Sequence, residues 1–275
     1  MTTQSTPPGT GPVEQLMRHD RSIVLCSLFL IILVSVWYTV AGIGMNMTAV
    51  DMTRMAGPIG EPMQMGGAPV WDLSYAVLIF LMWWVMMIAM MTPSGAPTVL
   101  LFTALKRSGT QKEKASRFSL CFLAGYLIAW GLFSFAATIA QWGLEQIELS
   151  DGPMMTIRGR SFAGFVLVAA GAYQLTSLKT ACLRHCQNPA RFLAAHNRPG
   201  GYGAFRTGAL HGLYCLGCCW ALMALLFVGG IMNLYWIAGI AIYVALEKLM
   251  PWTRWLVPAT GVALITAGVW LIATS

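Results

Sequence analysis

Residues 73–105 read LSYAVLIFLMWWVMMIAMMTPSGAPTVLLFTAL, and no charged side chain interrupts them. A helix needs about 20 apolar residues to cross the ~30 Å hydrocarbon core of a bilayer. The segment is therefore long enough for a membrane-spanning helix with an extension. Asp72, directly before it, is a suitable N-cap for its first turn. This stretch predicts an all-α membrane protein.

The composition of the whole chain agrees with that prediction. Of its 275 residues, 57% are hydrophobic and 10% are charged, whereas soluble domains have about 45–50% apolar and about 25% charged residues. This excludes an ordinary cytosolic enzyme, a disordered chain and a basic-patch reader of nucleic acid, so no nucleic-acid partner is expected. The formal net charge of +7 comes from basic residues in short loops between apolar segments.

Seven apolar segments are candidate transmembrane helices. They lie at 23–43, 73–92 with a continuation to 105, 118–141, 161–178, 209–231, 234–250 and 255–273. We therefore predict an all-α polytopic bundle of about seven transmembrane helices. It forms a single domain over 23–275, preceded by a polar cytoplasmic N-terminal arm at 1–22.

The basic residues also predict an orientation. With the N-terminus in the cytoplasm, only Arg54, Arg158 and Arg160 fall in outer loops, and the remaining Lys and Arg lie inside. This asymmetry follows the positive-inside rule. We expect a multi-pass protein of the bacterial inner membrane, with lipid as a partner, the N-terminus cytoplasmic and the C-terminus outside.

Two prolines and a glycine interrupt the long second segment at Pro93, Gly95 and Pro97. Proline removes a backbone donor and clashes with the carbonyl four residues earlier. One interpretation is a kinked or over-long helix. The other is a second helix broken at Pro93–Pro97, whose freed backbone groups form part of a binding site, as in transporters.

Two cysteine clusters lie near predicted cytoplasmic helix ends. In the first, Cys182 and Cys186 are one helical turn apart; the second consists of His211, Cys215, Cys218 and Cys219. The spacing of the second set places its members on one helical stripe. In a reducing compartment such thiols favour metal ligation or redox chemistry over disulfides. The connecting loop is short, so we expect the two clusters to meet.

The donor types indicate a soft metal. Cys and His suit Cu(I) or Zn(II), whereas thioethers bind Cu(I) far better than Zn(II). The first outer loop contains two Met-x-Met pairs, Met45 with Met47 and Met63 with Met65. These are candidate outer Cu(I) ligands. The segment at 73–92 also carries a methionine stripe, which equally fits ordinary core packing.

Glu247 is one of the few acids near predicted membrane depth. Three roles are open for it: a metal ligand, a carboxylate that orients His211, or an ion-pair partner of Lys248 or Arg254.

Three longer motifs resemble a known family. They are WWVMMIAMM-x-P at 83–93, YQLT-x-LK-x-x-CL-x-x-C at 173–186 and G-x-x-HG-x-x-C-x-GCCW at 208–220, followed by MN-x-x-W at 232–236 and by Glu247-Lys248. With these motifs the chain resembles an uncharacterised bacterial family described as predicted metal-binding integral membrane proteins. The resemblance implies a family and does not imply a mechanism.

Our first hypothesis is a membrane protein that handles or transports a soft metal, with Cu(I) favoured and Zn(II) as the alternative. Its metal site near the cytoplasmic face would use His211, Cys215, Cys218, Cys219, Cys182, Cys186 and Glu247. A metallochaperone or a membrane subunit would be its partner. No P-loop or aspartyl-phosphate motif supplies energy coupling, and we expect a protein that is not an enzyme.

Two alternatives stay open. A membrane thiol-disulfide oxidoreductase would use the Cys215/Cys218 pair, whose C-x-x-C spacing is typical of thiol exchange. A non-catalytic scaffold subunit of a membrane complex would use its cysteines only for packing.

Overall fold

The computed structural model describes residues 12–43, 47–61, 70–109, 112–151, 156–250 and 253–275. Within these ranges the chain is helical apart from loops, one 3-10 turn and a two-residue antiparallel strand pair, β1 (Ser150–Asp151) with β2 (Thr156–Ile157). The α-helices of this part, α1 to α11 in chain order, are Pro12–Ala41, Ala49–Arg54, Leu73–Arg107, Ala115–Gln146, Arg160–Gln174, Ser177–Gln187, Pro189–His196, Gly200–Ala224, Leu226–Gly229, Leu234–Leu249 and Thr253–Ala273. The predicted all-α helical bundle is confirmed.

In the part of the chain that the structure describes, five helical segments are long and apolar enough to cross a membrane. They are Ser22–Ala41, Leu73–Arg107, Lys112–Gln146, Gly200–Gly229 and Arg254–Ala273. The predicted fourth span is instead the pair α5 and α6, bent by 64°, which gives a sixth span if the pair counts as one. The predicted sixth span is α10, whose 16 residues rise only about 24 Å. Helix length alone therefore supports five or six spans.

Although short, α5 and α10 both run from one end of the bundle to the other. At the first end, the α2 end, Leu234 N donates to Thr53 Oγ1 of α2 at 2.9 Å, and Gly159 N donates to Gly60 O at 3.0 Å. At the second end, the α6 end, Gln187 Nε2 donates to Glu247 O at 2.9 Å. Gln174, the last residue of α5, also donates to Glu247 of α10 at 3.3 Å, so both helices reach the α6 end.

Small residues let the helices approach one another closely. A Cβ on Gly208 of α8 would lie 1.9 Å from Phe122 O of α4, and one on Gly125 of α4 would lie 2.1 Å from Phe205 O of α8. The two backbones are therefore in direct contact at these positions. Such a contact is possible only with glycine at both of them.

The predicted break at 93–97 is wrong, because α3 continues without interruption from Leu73 to Arg107. Pro93 and Pro97 lie four residues apart on the same face, and both are exposed, so their rings point away from the bundle. Each removes one N–H donor without forcing the helix to end. Gly95 lies on the buried side, where a Cβ would be 3.1 Å from the Tyr126 hydroxyl oxygen.

Replacing Gly208 by Ala should force α4 and α8 apart and lower the melting temperature of the detergent-solubilised protein. Overpacking of this kind costs about 1–3 kcal/mol. Gly143→Ala in α4 is the matched control, since a Cβ at that position would meet nothing within 4 Å and alanine favours a helix by about 1 kcal/mol. An unchanged melting temperature for Gly208→Ala in thermal unfolding would contradict the close approach.

Candidate metal centre

The two cysteine clusters meet at the α6 end of the bundle. Cys215, Cys218 and Cys219 are buried on α8. The Cys186 side chain, from α6, lies close to Cys215 and Cys218. Cys182, one turn earlier, packs on α8 as well, since a Cβ on Gly217 would lie 2.8 Å from its sulfur. The structure thus brings thiols from two helices to one place.

A thioether completes this group. Cys219 Sγ lies 3.9 Å from Met91 Sδ of α3, and Met91 is fully buried. We call Cys186, Cys215, Cys218, Cys219 and Met91 the sulfur cluster. It combines donors from three helices, so its geometry depends on the packing of α3, α6 and α8.

A buried lysine faces the sulfur cluster. Lys248 Nζ, from the end of α10, lies 2.9 Å from Cys215 Sγ and 3.0 Å from Ser94 Oγ. The hydroxyl of Tyr126 lies 3.2 Å from the same sulfur and donates to Met91 O at 2.9 Å. A buried ammonium is costly without a compensating anion. Its position therefore offers a positive charge to negatively charged sulfur ligands.

His211 lies one helical turn before Cys215 and is 2% exposed. Its Nδ1 atom has no hydrogen-bond partner among the described residues. Aromatic rings surround it, with the Phe192 centroid at 5.2 Å and the Tyr126 ring stacked at 5.7 Å. An unpaired buried nitrogen costs about 1–3 kcal/mol, so this imidazole is a candidate donor to a ligand.

The chain matches the PpoB2 family, described as copper chaperone, over residues 80–271. The chain belongs to this family. The matched range is more than half of the chain and contains the whole sulfur cluster. No curated protein and no solved structure matches the chain significantly. Membership of the PpoB2 family supports the coarse prediction of copper-related metal handling.

Within this PpoB2 family member, the sulfur atoms are not arranged as a preformed metal site. Among the described residues, no group of three or more His, Cys, Asp or Glu side chains has such an arrangement. Two of the thiols are bonded to the backbone instead: Cys218 and Cys219 both donate to Cys215 O, at 3.0 and 2.9 Å. Rotation about χ1 between staggered rotamers redirects a thiol without moving the backbone.

Glu247 has a different partner from those expected. Lys179 Nζ of α6 lies 2.9 Å from each of its carboxylate oxygens, and both side chains are buried. Gln174 Nε2 donates to the same carboxylate at 3.3 Å. The expected ion pair with Lys248 or Arg254 is replaced by this one. Consecutive helical residues point about 100° apart, so Glu247 faces α6 while Lys248 faces the sulfur cluster.

The remaining predicted site residues lie elsewhere. Met47 is half-buried against the core, far along the chain from the sulfur cluster, and Met45, Met63 and Met65 lie outside the described residues. Of the three residues at the predicted break, Gly95 packs on Tyr126, whereas Pro93 and Pro97 take no part in the cluster.

Two members of the site were missing from the sequence prediction. Lys248 had a usable signal, because a lysine inside an apolar segment marks a functional position by default. Met91 had a weaker one, since it belongs to a methionine stripe that fits core packing equally well.

Glu247→Gln should strongly destabilise the protein, by about 3–5 kcal/mol, because it leaves the Lys179 ammonium buried without an anion. The double variant Lys179→Met/Glu247→Met should recover much of this loss, since neither charge remains. Glu61→Gln is the control: its pair with Arg160 is exposed and is worth about 0–1 kcal/mol. Denaturant unfolding gives the free energy of unfolding of all three variants. An equal loss of stability in Glu247→Gln and in the double variant would refute the Lys179–Glu247 pair.

Proposed function

We propose that this chain is an integral membrane copper chaperone that holds Cu(I) in the sulfur cluster and passes it to a partner protein. The observation that carries the proposal is the group of three buried thiols on α8, with Met91 Sδ of α3 3.9 Å from Cys219 Sγ. Such a group provides the soft sulfur ligands that Cu(I) prefers. Membership of the PpoB2 family supports copper as the cargo.

The nature of the donors supports Cu(I) over Zn(II). Cys215 and Cys218 are the proposed thiolate ligands. Met91, 3.9 Å from the neighbouring Cys219 sulfur, adds a thioether that suits Cu(I) and hardly suits Zn(II). Cys186, Cys219 and Cys182 are neighbouring thiols available for exchange. His211 is the proposed transfer ligand, because its unpaired nitrogen lies one turn from Cys215.

Charge also favours the monovalent ion. A Cu(I) ion held by two thiolates carries a net charge of −1, and the nearby Lys248 ammonium makes the assembly neutral. Since an uncompensated buried charge is expensive, the lysine at 2.9 Å from Cys215 Sγ stabilises the loaded form. A lysine beside a cysteine also favours the reactive thiolate that a thiol-disulfide oxidoreductase needs. A measurement of disulfide formation therefore separates the two functions.

For the membrane arrangement we propose the orientation that the basic loops favour. The N-terminus and the α6 end then lie in the cytoplasm, and the C-terminus lies outside. Five long apolar helices support insertion into a bilayer. The sulfur cluster would be loaded from the cytoplasmic side, and the partner is a metallochaperone or a membrane subunit.

The full-length protein, purified in detergent under reducing conditions and titrated with Cu(I) against a chromophoric chelator, should bind about one Cu(I) per chain. Cys215→Ser/Cys218→Ser should abolish this binding because it removes both thiolates from α8. Cys26→Ser is the matched control, since that cysteine is exposed on α1, and should bind as the wild type does. Lys248→Met should bind more weakly.

Two results would contradict the proposal. One is wild-type Cu(I) binding by the double variant. The other is the absence of copper binding together with reversible formation of a Cys215–Cys218 disulfide, measured by alkylation and mass spectrometry, which would support the oxidoreductase alternative.

A further inference from the structure

A polar cavity of about 340 Å³ opens at the α6 end, between α6 and α7. Its polar and aromatic lining residues are Arg184, His185, Asn188, Arg191, Phe192 and His196. Within the described chain, neither arginine has an acidic partner. The volume is within the usual range of sites for small molecules, about 300–1,000 Å³, and the two guanidinium groups give the cavity a positive charge.

The inner wall of the cavity leads to the sulfur cluster. Phe192 is buried, with 2% exposure, and its ring centroid lies 5.2 Å from that of His211. Tyr214, adjacent in sequence to Cys215, stacks on His185 with centroids 4.0 Å apart. One layer of aromatic side chains therefore separates the cavity from His211 and Cys215.

Both cavity histidines present an open nitrogen. His185 Nδ1 lies 2.9 Å from Ala181 O, and His196 Nδ1 lies 3.0 Å from Phe192 O. A carbonyl oxygen can only accept, so each Nδ1 carries the proton and, in the neutral ring, each Nε2 keeps its lone pair. This is the arrangement of metal-binding histidines, whose second nitrogen donates to a carbonyl or carboxylate.

We propose that this cavity binds Cu(I) carried by an anionic low-molecular-weight thiolate, and that it is the port through which copper reaches the sulfur cluster. The inference rests on the proposed function. The guanidinium groups of Arg184 and Arg191 repel a free cation. The imidazole lone pairs of His185 and His196 do not attract a free anion. A ligand that carries a soft metal together with carboxylates satisfies both sets of groups.

Transfer from the port is a ligand exchange without oxidation or reduction. The bond between copper and the donor sulfur breaks as bonds between copper and the sulfurs of Cys215 and Cys218 form. One of the two cysteine protons leaves with the donor, which departs as the free thiol, and the other passes to solvent. Copper stays Cu(I), and His185, His196 and His211 offer nitrogen donors along the route.

The test compares loading rates of the full-length protein from two copper donors, the Cu(I)–glutathione complex and the cationic Cu(I)–acetonitrile complex. Arg184→Gln/Arg191→Gln should slow loading from glutathione roughly tenfold or more, with an unchanged final capacity and no slowing from acetonitrile. Arg198→Gln/Arg206→Gln is the matched control, because both arginines are exposed at the same end and do not line the cavity. It should load at the wild-type rate.

The histidines are tested separately. His185→Gln/His196→Gln should slow loading from both donors, because the nitrogen ligands serve either route. Three results would overturn the port and leave the proposed function standing. The arginine variant could slow loading from both donors alike, or the arginine and histidine variants could both load at the wild-type rate. Copper-free glutathione could also bind the protein as tightly as the Cu(I)–glutathione complex does. A wild-type protein that takes copper from neither donor would instead refute the proposed function.

Discussion

The direct contact between α4 and α8 sets the position of Cys215 and His211 relative to Tyr126, and the rest of the candidate site is built around it. Because Gly125 and Gly208 have no side chains, the two backbones touch, which suits membrane helices that associate through small residues and close packing. The contact places the Tyr126 hydroxyl 3.2 Å from Cys215 Sγ and stacks the Tyr126 ring on His211. A wider separation of these helices would leave the thiols of α8 without their neighbours on α4.

The short helix α10 then ties the remaining parts together through two consecutive residues. Glu247 holds Lys179 and so fixes α6, which carries Cys186 to the thiols of α8. Lys248 turns the other way and reaches Cys215. One buried charge therefore positions the helix that carries Cys186, and the next lies beside the Cys215 thiol. This explains why two lysines and an acid lie in an otherwise apolar interior.

The sequence predicted the helices better than their mutual rotation. Asp72 was expected to cap the long helix, and its side chain does accept from Tyr75 N at 2.7 Å. The spacing of Cys215, Cys218 and Cys219 correctly placed them on neighbouring positions of one helix. The partner of Glu247 was not predictable, because periodicity tells which residues share a face and does not tell which helix that face meets. At Pro93 and Pro97 the sequence leaves a broken and an over-long helix open, and the structure has the over-long one; proline marks a weak point of a helix but does not tell whether the packing around it keeps the helix continuous.

Positive charges lie at two depths along the route proposed for copper. At the cavity, Arg184 and Arg191 would stabilise an anionic copper complex, and at the sulfur cluster Lys248 would stabilise an anionic copper–thiolate centre. Moving Cu(I) between them would therefore create no unpaired buried charge, which would otherwise oppose entry into the interior. Copper would exchange the thiolate of its carrier for the cysteine thiolates of the sulfur cluster, so it keeps soft ligands along the way. Release would then require a partner that supplies competing thiolates.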